Sequence, residues 1–302
     1  MDKTPDLTEF LEQHQLPPLY AQQIRQHFRP LAERLSHNQK VQAQPLVIGI
    51  NGCQGSGKST LASALSWLFK QEHQLNSCVL SLDDFYLSQA ERHQLDLDVH
   101  PLLAQRGVPG THDIHMAIGL LSRLKHGQCP LDIPTFNKAD DERAPKEQWQ
   151  HIQSAPDIIL IEGWCLGVGA QNFLELIEPV NEMERNEDRD GIWRHYVNSQ
   201  LQQHYPKLFA LIDTTVMLQA PSFNCVYRWR LEQEEKLRSK LQSQKDQLGI
   251  EHSGLMSSDQ IKRFIQPFQR LTQHALATLP GQVDHLIVLD EERNIKAMPH
   301  SK

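Results

Sequence analysis

No stretch of this 302-residue chain is apolar for long enough to cross a membrane as a helix, and no signal-peptide pattern opens it. Cysteine is scarce. The five residues at 53, 78, 129, 165 and 225 include no C-x-x-C pair, which predicts reduced thiols and a cytoplasmic protein. Basic residues do not dominate either. Thirty Lys and Arg against 37 Asp and Glu leave a net charge of −7. That argues against a general nucleic-acid binder and requires any anionic ligand to be held by local cations. Internal repeats and low-complexity tracts are missing as well. What remains is an ordinary globular composition, 39% hydrophobic and 22% charged, long enough for one large α/β domain or two small ones.

The stretch around which the chain is organised runs from Leu46 to Phe69. Leu46, Val47, Ile48 and Ile50 read as a strand, and Leu61, Ala64, Leu65, Leu68 and Phe69 as the apolar face of a helix. Between them, Gly52-Cys53-Gln54-Gly55-Ser56-Gly57-Lys58-Ser59 fits the phosphate-loop pattern G-x-x-x-x-G-K-[ST]. Glycines let the backbone aim N–H groups at an anion, and the helix adds its positive end. In that pattern Lys58 reaches the β- and γ-phosphates of a nucleotide and the Ser59 hydroxyl ligates magnesium.

Two further strands end in acids. Cys78 to Leu82 runs into Asp83-Asp84-Phe85-Tyr86, and Ile158 to Ile161 into Glu162-Gly163-Trp164. Ligands of open parallel sheets lie beyond the carboxyl ends of strands. A carboxylate such as Asp83 there can accept a hydroxyl proton or help to hold magnesium, and Glu162 occupies the place of the acid that orients magnesium-bound water. Residues 89–112 read as an irregular loop, with Arg106 and His112 suited to an anionic or hydroxylated substrate and Asp113 capping the next helix. Asn137-Lys138-Ala139-Asp140 matches the N-K-x-D guanine tetrad, but no D-x-x-G switch precedes it, so Lys138 and Arg143 read as cations of a substrate loop. Residues 1–44 read as a helical extension divided or kinked at Pro30. Residues 181–191 read as a charged surface connection, Ile192 to Tyr205 as a helix and Ala210 to Leu218 as a strand. Pro221-Ser222 opens a basic helix suited to a lid over the nucleotide. Its Arg228 and Arg230, two apart, face different ways. Residues 243–258 read as a flexible connection, the stripe from Ile261 to Leu279 as a long packing helix, and Leu286 to Leu289 as the last strand.

In this order GxQGSGKST, SLDDFY, RGVPGTHD, P-x-F-x-K, IEGW and YRWRLEQE, followed by a long helix, resemble the D-glycerate 3-kinase family. That family is similar in fold to uridine kinase, phosphoribulokinase and pantothenate kinase. The resemblance covers about residues 45–295. It implies an α/β P-loop kinase domain over 45–302: a parallel sheet of five strands or slightly more, helices on both faces, and a helical lid at about 221–258. It implies substrate loops at about 84–113 and 134–150. Gly52, Cys53, Gln54, Gly55, Ser56, Gly57, Lys58, Ser59 and Thr60 would bind ATP. Ser59, Glu162 and Asp83 would be the magnesium oxygens and Asp83 the proton acceptor. Asp84, Tyr86, Arg106, His112, Lys138 and Arg143 would line the acceptor pocket, with Arg228 and Arg230 on the lid. D-glycerate is the implied acceptor, and a monomer or homodimer the expected assembly. Phe85, Tyr86, Phe136 and Trp164 leave a nucleoside or pantothenate-type acceptor open. A non-catalytic ATP-binding regulator is the third reading, and the acids Asp83 and Glu162 beside Lys58 argue against it.

Overall fold

The computed structural model describes residues 6–232, 234–235, 238 and 256–299. Six strands form its central sheet: β1 Leu46–Gly52, β2 Ser77–Ser81, β3 Ile158–Gly163, β4 Thr214–Gln219, β5 His285–Leu289 and β6 Ile295–Ala297. Their spatial order is β2-β3-β1-β4-β5-β6, parallel except for the last pair. β1 therefore lies between β3 and β4, and the crevice where strand order reverses opens at its carboxyl end.

Alternation along the strands assigns side chains to two cores. Leu46, Ile48 and Ile50 of β1 join Leu160, Val216 and Ile287 on one face, and Val47 joins Leu80, Ile159, Ile161 and Met217 on the other. The first face is covered by α2, Lys58–His73, and by the N-terminal helices, whose Phe10, Ile24, Phe28, Leu31 and Leu35 are buried in the same cluster. A π-helical turn, Ile24–Phe28, leads into α1, Arg29–Lys40. Pro30 lies in the first turn of that helix, and the π-helical turn directly before it is where the backbone ladder adjusts to the missing N–H. Among the described residues no helix is long and apolar enough to cross a membrane, and all five cysteines are free thiols.

Two segments depart from expectation. Residues 89–112 are not wholly irregular: Gln89–Asp98 forms α3, opened by a capping box between Ser88 and Glu91. Its only buried residue is Arg92, so a search for an apolar stripe passes over it. Nor is 181–191 merely a surface connection. It contains the short helix Glu182–Glu187, and Glu184 and Asp188 are buried. Glu184 pairs with Arg270 at 2.6 Å and Asp188 with Arg194 at 2.9 Å.

The second face of the sheet carries α4, Ile114–Lys125, and α5, Ile192–Gln203. Asp113 caps α4 by accepting the Met116 N–H at 3.0 Å. The last long helix, α6, Ser258–Thr278, sends Ile261 and Ile265 to one core and Phe268, Leu271 and Ala275 to the other. The strand expected from Ala210 begins only at Thr214. Of the expected lid, residues 224–232 are helical, while 239–255 lie outside the described residues.

Candidate active site

β1 ends at Gly52, and the chain turns through Gly55 at φ 78° and Gly57 at φ 97° into α2. Both values lie in the left-handed region that side chains with a Cβ avoid. A Cβ on Gly52 would stand 2.6 Å from Ser56 Oγ, whereas one on Gly57 would meet nothing within 4 Å. The loop is closed beneath and open above. No side chain caps α2, so its first N–H groups, Lys58 to Thr60, are left to a ligand. The buried Ser56 hydroxyl has no partner, and Lys58 Nζ folds back to within 3.3 Å of the Cys53 carbonyl oxygen. Unsatisfied donors converging on a helix N-terminus fit a polyphosphate.

Beside this cradle, Ser59 Oγ donates to Glu162 Oε1 at 2.8 Å, and Ser81 Oγ donates to the same oxygen at 3.2 Å. Glu162 is 8% exposed and pairs in register with Ile50 and Ser81, so three adjacent strands converge there. Among the described residues no group of three or more His, Cys, Asp or Glu could hold a metal. One carboxylate and one hydroxyl, completed by phosphate oxygens and water, are what magnesium accepts. The residues present fit that ion.

Asp83 and Asp84 follow β2 in a single 3₁₀ turn, Leu82–Phe85, capped by Ser81. They have different work. Asp84 accepts the Phe136 N–H at 3.0 Å, which ties the loop that carries Phe136 to the sheet. Burial pushes its carboxyl up, and neighbouring Asp83 and Glu162 add to the rise. Asp83 accepts from Tyr86 Oη at 3.0 Å and from Lys138 Nζ at 2.6 Å. Burial would raise its pKa, but Lys138, reinforced by Lys58 and His112, outweighs burial and holds it below the usual carboxylate value.

His112 stacks on Tyr86 with centroids 4.6 Å apart, and its Nδ1 lies 2.7 Å from Tyr205 Oη. Tyr205 Oη also accepts the Gly110 N–H at 3.3 Å. If Tyr205 donates to Nδ1, only the buried His112 Nε2 is left without a partner. The other tautomer leaves two unpaired groups, so the count favours the proton on Nε2. Burial, only partly opposed by Asp83, lowers the His112 pKa from 6.5 to about 4. The native state therefore binds this proton less readily than the unfolded chain. Stability is full above the unfolded value and is lost as pH falls from about 6.5 towards 4, by an amount on the order of 3 kcal/mol. Urea unfolding at pH 7.5 and at pH 4.5 should show a larger acid loss in the natural protein than in His112→Gln. Equal losses would refute a neutral buried His112.

The other predicted acceptor cations serve the loop. Arg143 donates to the Tyr86 carbonyl oxygen at 3.1 Å and lies 3.7 Å from Asp113. Arg106 pairs with Asp141, donates to the Lys138 carbonyl oxygen at 3.3 Å and lies over the Phe136 ring. Of the four cations expected around an acceptor, only Lys138 meets the Asp83 carboxylate. On the basic helix, Arg228 pairs with Glu291 at 2.8 Å, and Arg230 pairs with Glu234 at 3.0 Å and lies over Phe264. The two diverge, as their spacing requires. Arg228 borders a cavity of about 460 Å³ with Lys262, Gln266, Gln269 and Glu291. Neither contacts Asp83. Sequence reasoning missed Ser81, Tyr205 and Arg92. Ser81 is legible afterwards, one β-period before Asp83; the other two act through partners distant in the chain.

An uncharacterized kinase of Schizosaccharomyces pombe, mug58, is 32% identical over 274 residues, which are 86% of this chain and 93% of that protein. The chloroplastic D-glycerate 3-kinase of Arabidopsis thaliana is 30% identical over 278 residues, 85% of this chain, and the match spans 56% of that longer protein. The chain belongs to the D-glycerate 3-kinase family. The fold agrees: the structure of D-glycerate 3-kinase from Cryptococcus neoformans superposes with a TM-score of 0.70 at 24% identity, covering 92% of this chain and 98% of that one. No family model matches the sequence. Within the D-glycerate 3-kinase family, then, this chain is a P-loop kinase with a mostly parallel sheet.

Proposed function

We propose that the protein transfers the γ-phosphoryl group of ATP to the 3-hydroxyl of D-glycerate. The observation that carries this reading is the carboxylate–ammonium pair Asp83–Lys138, 2.6 Å apart at the crevice beside the phosphate loop. A hydroxy acid needs both partners, a base for its alcohol and a cation for its carboxylate. The kinase names of both relatives and the amide cradle support the phosphoryl-transfer half of the proposal.

Each residue has a stated job. The N–H groups of the loop and Lys58 hold the phosphates and neutralise charge on the migrating group. Ser59 and Glu162 would hold Mg²⁺, which supplies further neutralisation when bound. Asp83 takes the proton of the attacking hydroxyl. The new bond forms between the acceptor oxygen and γ-phosphorus, the bond from that phosphorus to the bridging oxygen breaks, and ADP leaves. Asp84 positions the loop that carries Lys138, and Arg228 or Arg230 would approach the phosphates on closure of the basic helix.

An assay coupled to ADP release, run over D-glycerate, nucleosides, pantothenate and neutral polyols, tests the proposal. Turnover fastest with D-glycerate is the expected result. Turnover only with another acceptor removes glycerate but keeps the kinase. ATP binding without turnover on any acceptor favours a regulator.

A further inference from the structure

Both oxygens of the Asp83 carboxylate are occupied, Oδ1 by Tyr86 and Oδ2 by Lys138. A carboxylate so bonded is a poor base, because an incoming hydroxyl proton must displace one donor. Tyr86 cannot yield. It is 4% exposed, stacked on His112 and packed edge-on against Phe136. The Lys138 side chain is 61% exposed and can swing.

Its backbone is fixed. Arg106 donates to its carbonyl oxygen at 3.3 Å, and Asn137 Oδ1 accepts the Ala139 N–H at 3.0 Å. Arg92, itself 1% exposed, donates to the Asp141 carbonyl oxygen at 2.8 Å and pairs with that carboxylate at 2.9 Å. The loop tip is thus tied by two arginines, and only the lysine stem moves. Lys138 is a mobile ammonium on a fixed stalk, holding the base closed.

We infer that Lys138 is a lock on Asp83 which an anionic acceptor opens. The acceptor's carboxylate takes the ammonium, and Oδ2 is vacated as the hydroxyl of the same molecule arrives. The hydroxyl proton then passes to Asp83 while its oxygen bonds to γ-phosphorus and ADP departs. A neutral polyol offers the ammonium nothing comparable, so Asp83 stays engaged. Selection for the anion therefore falls on turnover as well as on binding. The inference rests on the kinase reading, but it makes a separate claim about charge.

The test uses the full chain, the Lys138→Met variant, and D-glycerate, glycerol and glycerol with formate as acceptors. Formate supplies the carboxylate that glycerol lacks. In the natural protein, formate should raise kcat for glycerol. In Lys138→Met, kcat for glycerol should already be raised, with no further response to formate. The same variant should lose roughly 10- to 100-fold in kcat/KM for D-glycerate, the worth of one charge-assisted hydrogen bond. If Lys138 only binds the carboxylate, glycerate turnover falls while glycerol turnover stays unchanged and formate has no effect on either protein, and the lock is overturned. Glycerol turnover too slow to detect under every condition overturns it equally. Formate stimulation that depends on Lys138 in a protein inactive on D-glycerate would keep the lock and remove glycerate. Because the side chain is mostly exposed, the variant should melt within a few degrees of the natural protein, which separates these outcomes from misfolding.

Discussion

Asp83→Asn lowers kcat by roughly two to four orders of magnitude, the usual range for a general base, and leaves ATP affinity nearly intact. The amide keeps the shape of the carboxylate. Tyr86 can still donate to its oxygen as it donates now at 3.0 Å, so the turn after β2 survives. What disappears is the place for the proton. Lys138, relieved of its partner, becomes freer for the acceptor's carboxylate, so KM for D-glycerate should hold or fall while kcat collapses. That split marks an interaction made in the transition state rather than one shared with the bound substrate. ADP-release kinetics and titration with a non-hydrolysable ATP analogue measure the two halves. A variant within tenfold of natural kcat would move the role to Asp84, although Asp84 is already tied to the Phe136 N–H.

The largest expected loss of stability comes from Arg270→Met, roughly 3–5 kcal/mol, the penalty for stranding one member of a buried ion pair. Arg270 Nε and Nη2 reach the two oxygens of Glu184 at 2.8 and 2.6 Å, and its guanidinium also donates to the carbonyl oxygens of Glu175 and Glu178 at 2.7 Å each. One side chain on α6 therefore fixes the chain from 175 to 184. Methionine fills much of the volume but leaves two carbonyls unanswered and strands a buried carboxylate with the Val180 N–H, at 3.0 Å, in place of an opposite charge. Urea unfolding at neutral pH measures the loss. Adding Glu184→Met to the first substitution should recover a large part of it, since the stranded charge goes. A single-variant loss below about 1 kcal/mol would mean that water reaches Glu184, contrary to its burial.

Those two cases also show where the sequence is legible. The phosphate loop could be read because every part of it is local: a strand, a glycine turn at fixed spacing and an amphipathic helix. The strand ends carrying Asp83 and Glu162 were readable for the same reason, through short apolar runs that stop at an acid. Arg270 and Glu184 stand 86 residues apart, and no periodicity announces that a charge-dense segment will turn inward. α3 was missed because capping and a buried arginine, rather than an apolar face, account for it. Lys138 and Asp83 were each legible as residue types at suitable places. Their engagement with each other was not, since it depends on how Asp84, Arg106 and Arg92 set the loop.

Among the described residues β2 has a single neighbour, β3, whereas β1 is held on both sides. The carboxylate proposed to ready the alcohol thus hangs from the rim of the sheet, while the loop proposed to grip the nucleotide is anchored at its middle. Fraying at the rim would separate the two. A molecule loosened there would go on clasping its nucleotide after losing the ability to pass anything on, a dead-end complex.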